Sequence, residues 1–195
     1  MAEFRDEDAK GSIENAKDLV VDSLAETMDL YGVTRSAGTL YGTMYFEGDM
    51  TLDEMRDKLG MSKPSMSTGV KKLQDFNVVK KTFRRGQRKH TYIAERDFFR
   101  FFSNFFSDKW EREVNLNLEA IRHAQEQLSE VIASESISSH LKEDAEEVYQ
   151  VLEDSKPYYY WLQRLAAMVK SGEIFEMIPF HPPTKEEKEM NEGDT

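Results

Sequence analysis

Cysteine is absent from the 195-residue chain. That absence excludes a disulfide scaffold, a cysteine-ligated zinc and a thiol nucleophile. No long uncharged apolar run occurs either, so no membrane-spanning helix is expected. The N-terminal stretch MAEFRDEDAKGSIENA lacks the apolar core of a secretory leader, and a cytoplasmic protein is the expectation. Catalytic signatures are missing too. There is no HExxH, no GxGxxG and no GxxxxGK[ST]. Of the four histidines, His90 lies among basic residues, and His123 has Glu119 and Glu126 at helical spacing, a pattern typical of solvated helix pairs. No enzyme, metal site or cofactor is expected. What remains is globular: 39% hydrophobic and 32% charged residues, at a length suiting one domain or a small module with an oligomerisation element.

Net positive charge is also lacking, at −11 for the whole chain. The average hides an asymmetry. From Arg56 to Arg100 there are 13 Lys/Arg against 4 Asp/Glu, net +9; the rest holds 13 against 33, net −20. An anionic partner is attracted to the middle segment and repelled elsewhere. Charge alone is equally a property of a solvated basic face.

The elements read as mostly helical. Residues 1–12 are polar and are expected to be disordered. Ile13, Leu19, Val20, Leu24, Met28 and Tyr31 recur at helical spacing before Gly32. A second helix covers about 35–46, with Gly38 and Gly42 four apart, a spacing that suits close helix packing. EGDM (47–50) reads as a turn, and a short helix covers 52–59. Ser62 then caps a helix running to about Phe76, with Pro64 tolerated in its first turn. VVKKTF (78–83) and RKHTYI (88–93), joined by RRGQ (84–87), read as a β-hairpin with a basic tip.

That order is a winged helix-turn-helix, here assigned to residues 13–94. On the capped helix, Met66, Val70 and Leu73 share the core face. Ser62, Lys63, Ser65, Ser67, Thr68, Lys71 and Lys72 are left to enter a major groove. Arg84, Arg85, Gln87, Arg88 and Lys89 on the hairpin can reach phosphates or an adjacent minor groove. The basicity of helix and hairpin coincides, and this favours a double-stranded DNA partner over a merely solvated face.

Residues 94–134 contain neither Gly nor Pro and read as one long helix, with Phe98, Phe99, Phe101, Phe102, Phe105 and Phe106 around more than one side. Such a helix should be buried on more than one side. A second run covers about 138–169, where Pro157 is expected to kink or divide the helix. Residues 95–178 are therefore expected to form a helical dimerisation region, and 179–195 an acidic disordered tail. A two-fold homodimer would bury the long helices and place two recognition helices about 34 Å apart, matching a palindromic operator. The fold class is mainly α with a small β-hairpin wing.

Three stretches carry a family resemblance: AETMDLYGVTRSAGTLYGTMYFEGDMTLDEM (25–55), LGMSKPSMSTGVKKLQ (59–74) and VVKKTFRRGQRKHTYIAERDFF (78–99), continued by FFSDKWEREVNLNLEAI (105–121). They resemble the regulators of glycine betaine synthesis and uptake, within the MarR-like winged-helix repressors. The resemblance implies a dimeric, osmostress-linked repressor of choline import or of choline oxidation to glycine betaine. It also implies a response to choline, glycine betaine or a related methylated amine.

Such an effector has a chemical requirement. A quaternary ammonium has no N–H to donate, so aromatic faces must hold it. Tyr41, Tyr45, Trp110, Tyr158, Tyr159 and Trp161, each with a polar edge, are the cage candidates, and the Phe residues are the better core. An aromatic stripe at helical spacing is also ordinary core, so that alternative stays open. Two other classes stay open as well: a winged-helix regulator with no small-molecule effector, and a helical protein-interaction adaptor.

Overall fold

The computed structural model describes residues 6–83 and 89–180. Its elements are α1 (Asp6–Leu30), α2 (Arg35–Glu47), α3 (Leu52–Leu59), α4 (Lys63–Asp75), β1 (Val79–Phe83), β2 (His90–Ala94), α5 (Phe98–Ala133), α6 (Ser139–Ser171) and α7 (Ile174–Met177). The mainly helical reading with a small hairpin holds. The chain divides into two compact units, Met1–Phe105 and Phe106–Thr195.

In the first unit, α1 begins at Asp6, which corrects the expected disorder of residues 1–12 over its described part. Asp6, Glu7 and Asp8 fill the first turn, where negative charge meets the positive end of the helix dipole. Gly11 lies inside the helix at a modest entropic cost. The helix ends in a Schellman motif. Gly32 adopts φ 78° and donates to the Asp29 carbonyl at 2.9 Å, while the Val33 N–H reaches Met28 at 3.0 Å. Only part of the α1 stripe is core. Val21, Ala25 and Met28 are buried, whereas Ile13, Leu19 and Val20 are exposed.

Gly38 and Gly42 bring α2 against α1, as their spacing suggests. A Cβ on Gly38 would lie 2.7 Å from the Ala25 Cα, and one on Gly42 would lie 3.1 Å from the Val21 Cα. The two backbones therefore touch where no side chain intervenes. Next, α3 starts with a capping box. The Thr51 side chain accepts from the Glu54 N–H, and the Glu54 carboxylate accepts from the Thr51 N–H at 2.6 Å. The Ser62 cap forms as expected, its Oγ accepting from the Ser65 N–H at 3.2 Å.

After α4 the chain turns at Asn77, whose φ is 55°. Asparagine tolerates this left-handed conformation better than most residues. Its N–H donates to Gln74 at 2.9 Å, and the Val78 N–H donates to Leu73 at 3.2 Å. The hairpin then pairs in register from Val79↔Ala94 to Phe83↔His90. Residues 84–88 lie outside the described residues, so the expected turn and the positions of Arg84, Arg85, Gln87 and Arg88 do too. One pairing escaped the sequence: Met50, read as part of a turn, forms a bridge with Tyr92 through bonds of 2.9 and 2.8 Å.

The first turns of α5 belong to this unit, so it extends to Phe105 rather than ending near residue 94. Phe105 is wholly buried, with ring centroids 4.7 Å from Phe76, 5.5 Å from Phe101 and 5.8 Å from Tyr31. Asn104 adds a bond from Nδ2 to the Asn77 carbonyl at 3.2 Å. The aromatic run is not uniformly covered: Phe98 and Phe99 are half exposed.

The second unit is a helical hairpin of α5 and α6, with α7 following Gly172. Lys170 pairs with Glu111 at 2.8 Å near one end, and the Gln125 Nε2 donates to Glu153 at 2.9 Å further along. These pairings make the two helices antiparallel. Val114, Ile121, Ala145, Leu162, Ala166 and Val169 form a single buried stripe. Leu116, Leu141, Val148 and Val151 lie outside it, each at least half exposed. Of the expected kink or division at Pro157, the division does not occur: α6 runs from Ser139 to Ser171 with the proline inside it. The proline is exposed, so water can satisfy the carbonyl that its missing N–H leaves. Residues 181–195, the bulk of the expected tail, lie outside the described residues.

Candidate nucleic-acid interface and aromatic cluster

The first unit presents one polar ridge. Met66, Val70 and Leu73 turn α4 inward, as their spacing requires. Ser62, Lys63, Ser65, Ser67, Thr68 and Lys71 are all exposed, and Lys72 is half-buried. The expected helix residues therefore share the outward surface of one capped, proline-started helix. Lys72 differs from the others in reaching back to the Gly32 carbonyl at 3.4 Å.

Beside α4 runs a groove of about 550 Å³ toward the start of α2. Its walls include Thr34 and Ser36 from α2 with Ser65, Thr68 and Lys72 from α4. Thr34 and Ser36 were missed at the sequence level. Their only signal was a pair of hydroxyls at a helix start, which ordinarily means capping, yet Thr34 makes no side-chain cap bond.

Across the helix from that groove, Lys63 and Lys89 converge on one carboxylate. Asp53 accepts from Lys63 at 2.8 Å and from Lys89 at 2.7 Å. The hydrogen bonds from Lys63 and Lys89 hold the Asp53 carboxyl down at about 2, below the usual carboxylate range. A lowered pKa means that the interaction is present above the ordinary carboxylate range and is lost only as pH falls through about 2. Asp53 thus stays charged at all ordinary pH. Among the described hairpin residues, Phe83 and His90 meet edge-on at 4.8 Å, opposite each other in the register.

The six cage candidates do not form one group. In the first unit, Tyr41 is wholly buried, and its hydroxyl donates to the Glu95 carbonyl at 2.6 Å. Burial, with Tyr45 and Glu95 adding smaller effects, holds its phenol well above the usual range. Its ring packs on Phe101. Tyr41 is therefore a core residue and offers no open face, which corrects its assignment to a cage. Tyr45 is half-buried and stacks on Phe98 at 5.3 Å with an interplanar angle of 21°.

In the second unit, Trp110 packs on Phe106 at 5.4 Å. Tyr158 meets Tyr159 edge-on at 5.1 Å and lies 6.4 Å from Trp161. Tyr158 and Trp161 are each 51% exposed, so both rings keep a face open to solvent. The Tyr158 hydroxyl donates to Glu113 at 3.4 Å, and the Glu113 charge raises the Tyr158 pKa. Two exposed aromatic rings therefore lie on the same helix, one of them bonded to a carboxylate. Glu113 was not anticipated, because the sequence does not show which of many carboxylates faces the α6 rings.

No group of side chains with metal-ligand potential occurs among the described residues. No described helix is long and apolar enough to cross a membrane.

Comparison with known proteins places this architecture. Residues 98–176 match the C-terminal helical hairpin of the GbsR family of transcriptional regulators. The HTH-type transcriptional repressor GbsR of Bacillus subtilis is 64% identical over 168 residues, covering 86% of this chain and 93% of that protein. The HTH-type transcriptional repressor OpcR of the same organism is 30% identical over 168 residues, covering 86% of this chain and 91% of that protein. A crystal structure of a transcriptional regulator aligns with TM-score 0.46 and 17% identity, covering 78% of this chain and 99% of that one. Identity of 64% over 168 residues, together with the match of the helical hairpin, leads to one conclusion: the chain belongs to the GbsR family of transcriptional regulators.

Proposed function

We propose that the protein is a homodimeric, sequence-specific repressor that binds a palindromic operator. The genes it controls would serve choline import, glycine betaine synthesis or osmoprotectant uptake. The carrying observation is the α4 surface: Ser65, Ser67, Thr68 and Lys71 stand exposed on a helix whose opposite face is locked into the core. Hydroxyls and lysines there suit base edges and phosphates in a major groove. In the sequence, Arg84, Arg85 and Arg88, with the polar Gln87, add three cations and a hydrogen-bonding side chain between the two strands. In this reading residues 13–94 bind DNA, and 95–178 carry dimerisation and the effector response. The exposed apolar residues of the second unit, Leu116, Leu141, Val148 and Val151, support a partner helix pair.

Choline or glycine betaine is the proposed effector. Tyr158, Tyr159 and Trp161 beside Glu113 support the site, since open rings attract a quaternary ammonium and the carboxylate pairs with its charge. Tyr45 and Trp110 are the secondary candidates. An effector shifts the dimer only by its difference in affinity between DNA-competent and incompetent states.

The test is binding to DNA upstream of choline-import and betaine-synthesis genes, measured across a salt series with and without each ligand. Affinity should fall steeply with salt. The triple substitution Arg84→Ala, Arg85→Ala, Arg88→Ala should flatten the log–log slope by about 0.9 for each phosphate that is no longer neutralised. An adaptor would show neither effect. At saturating ligand, operator affinity should change about 5-fold or more. That change should vanish in Trp161→Ala, with folding retained. An unchanged affinity with both ligands would leave a repressor without a small-molecule effector.

A further inference from the structure

Glu14 and Glu47 each bridge Lys17 and Lys58, but Asp53 joins cations from two elements proposed to meet DNA. It lies in the first turn of α3, a helix fixed in place by the Thr51–Glu54 capping box. Its two oxygens are divided between two lysines: Oδ1 takes Lys63 Nζ at 2.8 Å and Oδ2 takes Lys89 Nζ at 2.7 Å, with Arg56 of the same helix further off at 3.8 Å from Oδ1. Lys63 opens the proposed recognition helix, and Lys89 leads into the returning strand of the hairpin. Asp53 is the more enclosed partner, its side chain 21% exposed against 51% and 68% for the lysines. A short, more enclosed anion therefore holds two long, exposed lysines, and both lysines come from elements proposed to meet DNA.

We propose that Asp53 is a built-in counter-anion that restrains phosphate-driven DNA binding. The proposal rests on the DNA-binding reading above. A phosphate approaching Lys63 or Lys89 must displace the carboxylate or sit beside it. Displacement exchanges one anion for another, so these two lysines contribute little to the attraction. Sitting beside it places two negative charges within about 5 Å, a repulsion worth roughly a fourfold loss of affinity in water. Arbitrary DNA, held through phosphates alone, bears that loss in full.

The experiment uses the full chain and a mixed-sequence duplex of about three helical turns, titrated across a salt series. Asp53→Asn removes the charge and keeps the shape, Asp53→Ser is a second neutral variant, and Asp53→Glu keeps the charge. Thermal unfolding checks that each is folded. The neutral variants should bind this duplex about fourfold tighter or more at low salt. Their salt slope should steepen by up to about 0.9 for each lysine released. Asp53→Glu should stay near wild type. Unchanged or weaker binding by a folded neutral variant, beside a wild type with a steep slope, overturns the counter-anion role and leaves the DNA-binding reading standing. A wild type without salt-dependent binding instead removes that reading, and this inference with it.

Discussion

Replacing Phe105 by alanine is expected to cost about 3–5 kcal/mol of folding stability, the range for truncating a fully buried aromatic ring. Phe105 has no exposed surface, and it packs against Phe76, Phe101 and Tyr31. These neighbours come from three parts of the first unit. Phe76 caps the C-terminal end of α4, Tyr31 follows α1, and Phe101 belongs to α5 itself. Removing the ring leaves a cavity at the point where one side chain joins these parts. Phe105→Leu should cost less, because it refills part of the volume. Chemical denaturation provides the measurement, and a loss below about 1 kcal/mol for Phe105→Ala would show that the site collapses freely. DNA affinity should fall along with stability, since the same ring supports the end of α4, the proposed recognition helix.

The second large effect concerns a residue with no side chain at all. Gly38→Ala should destabilise the protein by about 2 kcal/mol, and Gly38→Val by about 3 kcal/mol or more. Alanine is ordinarily the better helix former, by about 1 kcal/mol. Here the new Cβ would meet the Ala25 Cα at 2.7 Å, and backbone cannot swing aside as a side-chain tip can. The two helices would have to separate. Gly11→Ala is the matched control, because nothing lies within 4 Å of its Cβ position and α1 is otherwise regular there. That variant should be neutral or stabilising by up to about 1 kcal/mol. Urea unfolding of both variants measures the contrast. Equal behaviour of Gly11→Ala and Gly38→Ala would rule out the close approach of α1 and α2.

The two glycine positions show how far local sequence reaches. The spacing of Gly38 and Gly42 indicates close packing, but not which residues lie opposite. Ala25 and Val21 answer that only in three dimensions. The aromatic residues show the same limit. Tyr41 and Tyr45 share a helical face by spacing, yet one is sealed in the core and the other stacks half-buried on Phe98. A four-residue offset turns the two side chains through slightly different directions, and the position of α5 decides which one is covered. Phe98 and Phe105 differ in the same way, at 47% and 0% exposure, although both sit in one aromatic run.

By itself, the sequence determined the order of helices and hairpin, the Ser62 cap, the inward face of α4 and the basic middle segment. Each of these rests on neighbours within about two helical turns, or on composition, and so is written locally. Tertiary structure alone decided that α6 continues through Pro157 and that Met50 pairs with Tyr92. It alone brought Asp53 between Lys63 and Lys89, and Glu113 beside Tyr158. Those outcomes depend on burial, water access and charge pairing between residues far apart in the chain, and no local period or propensity encodes them.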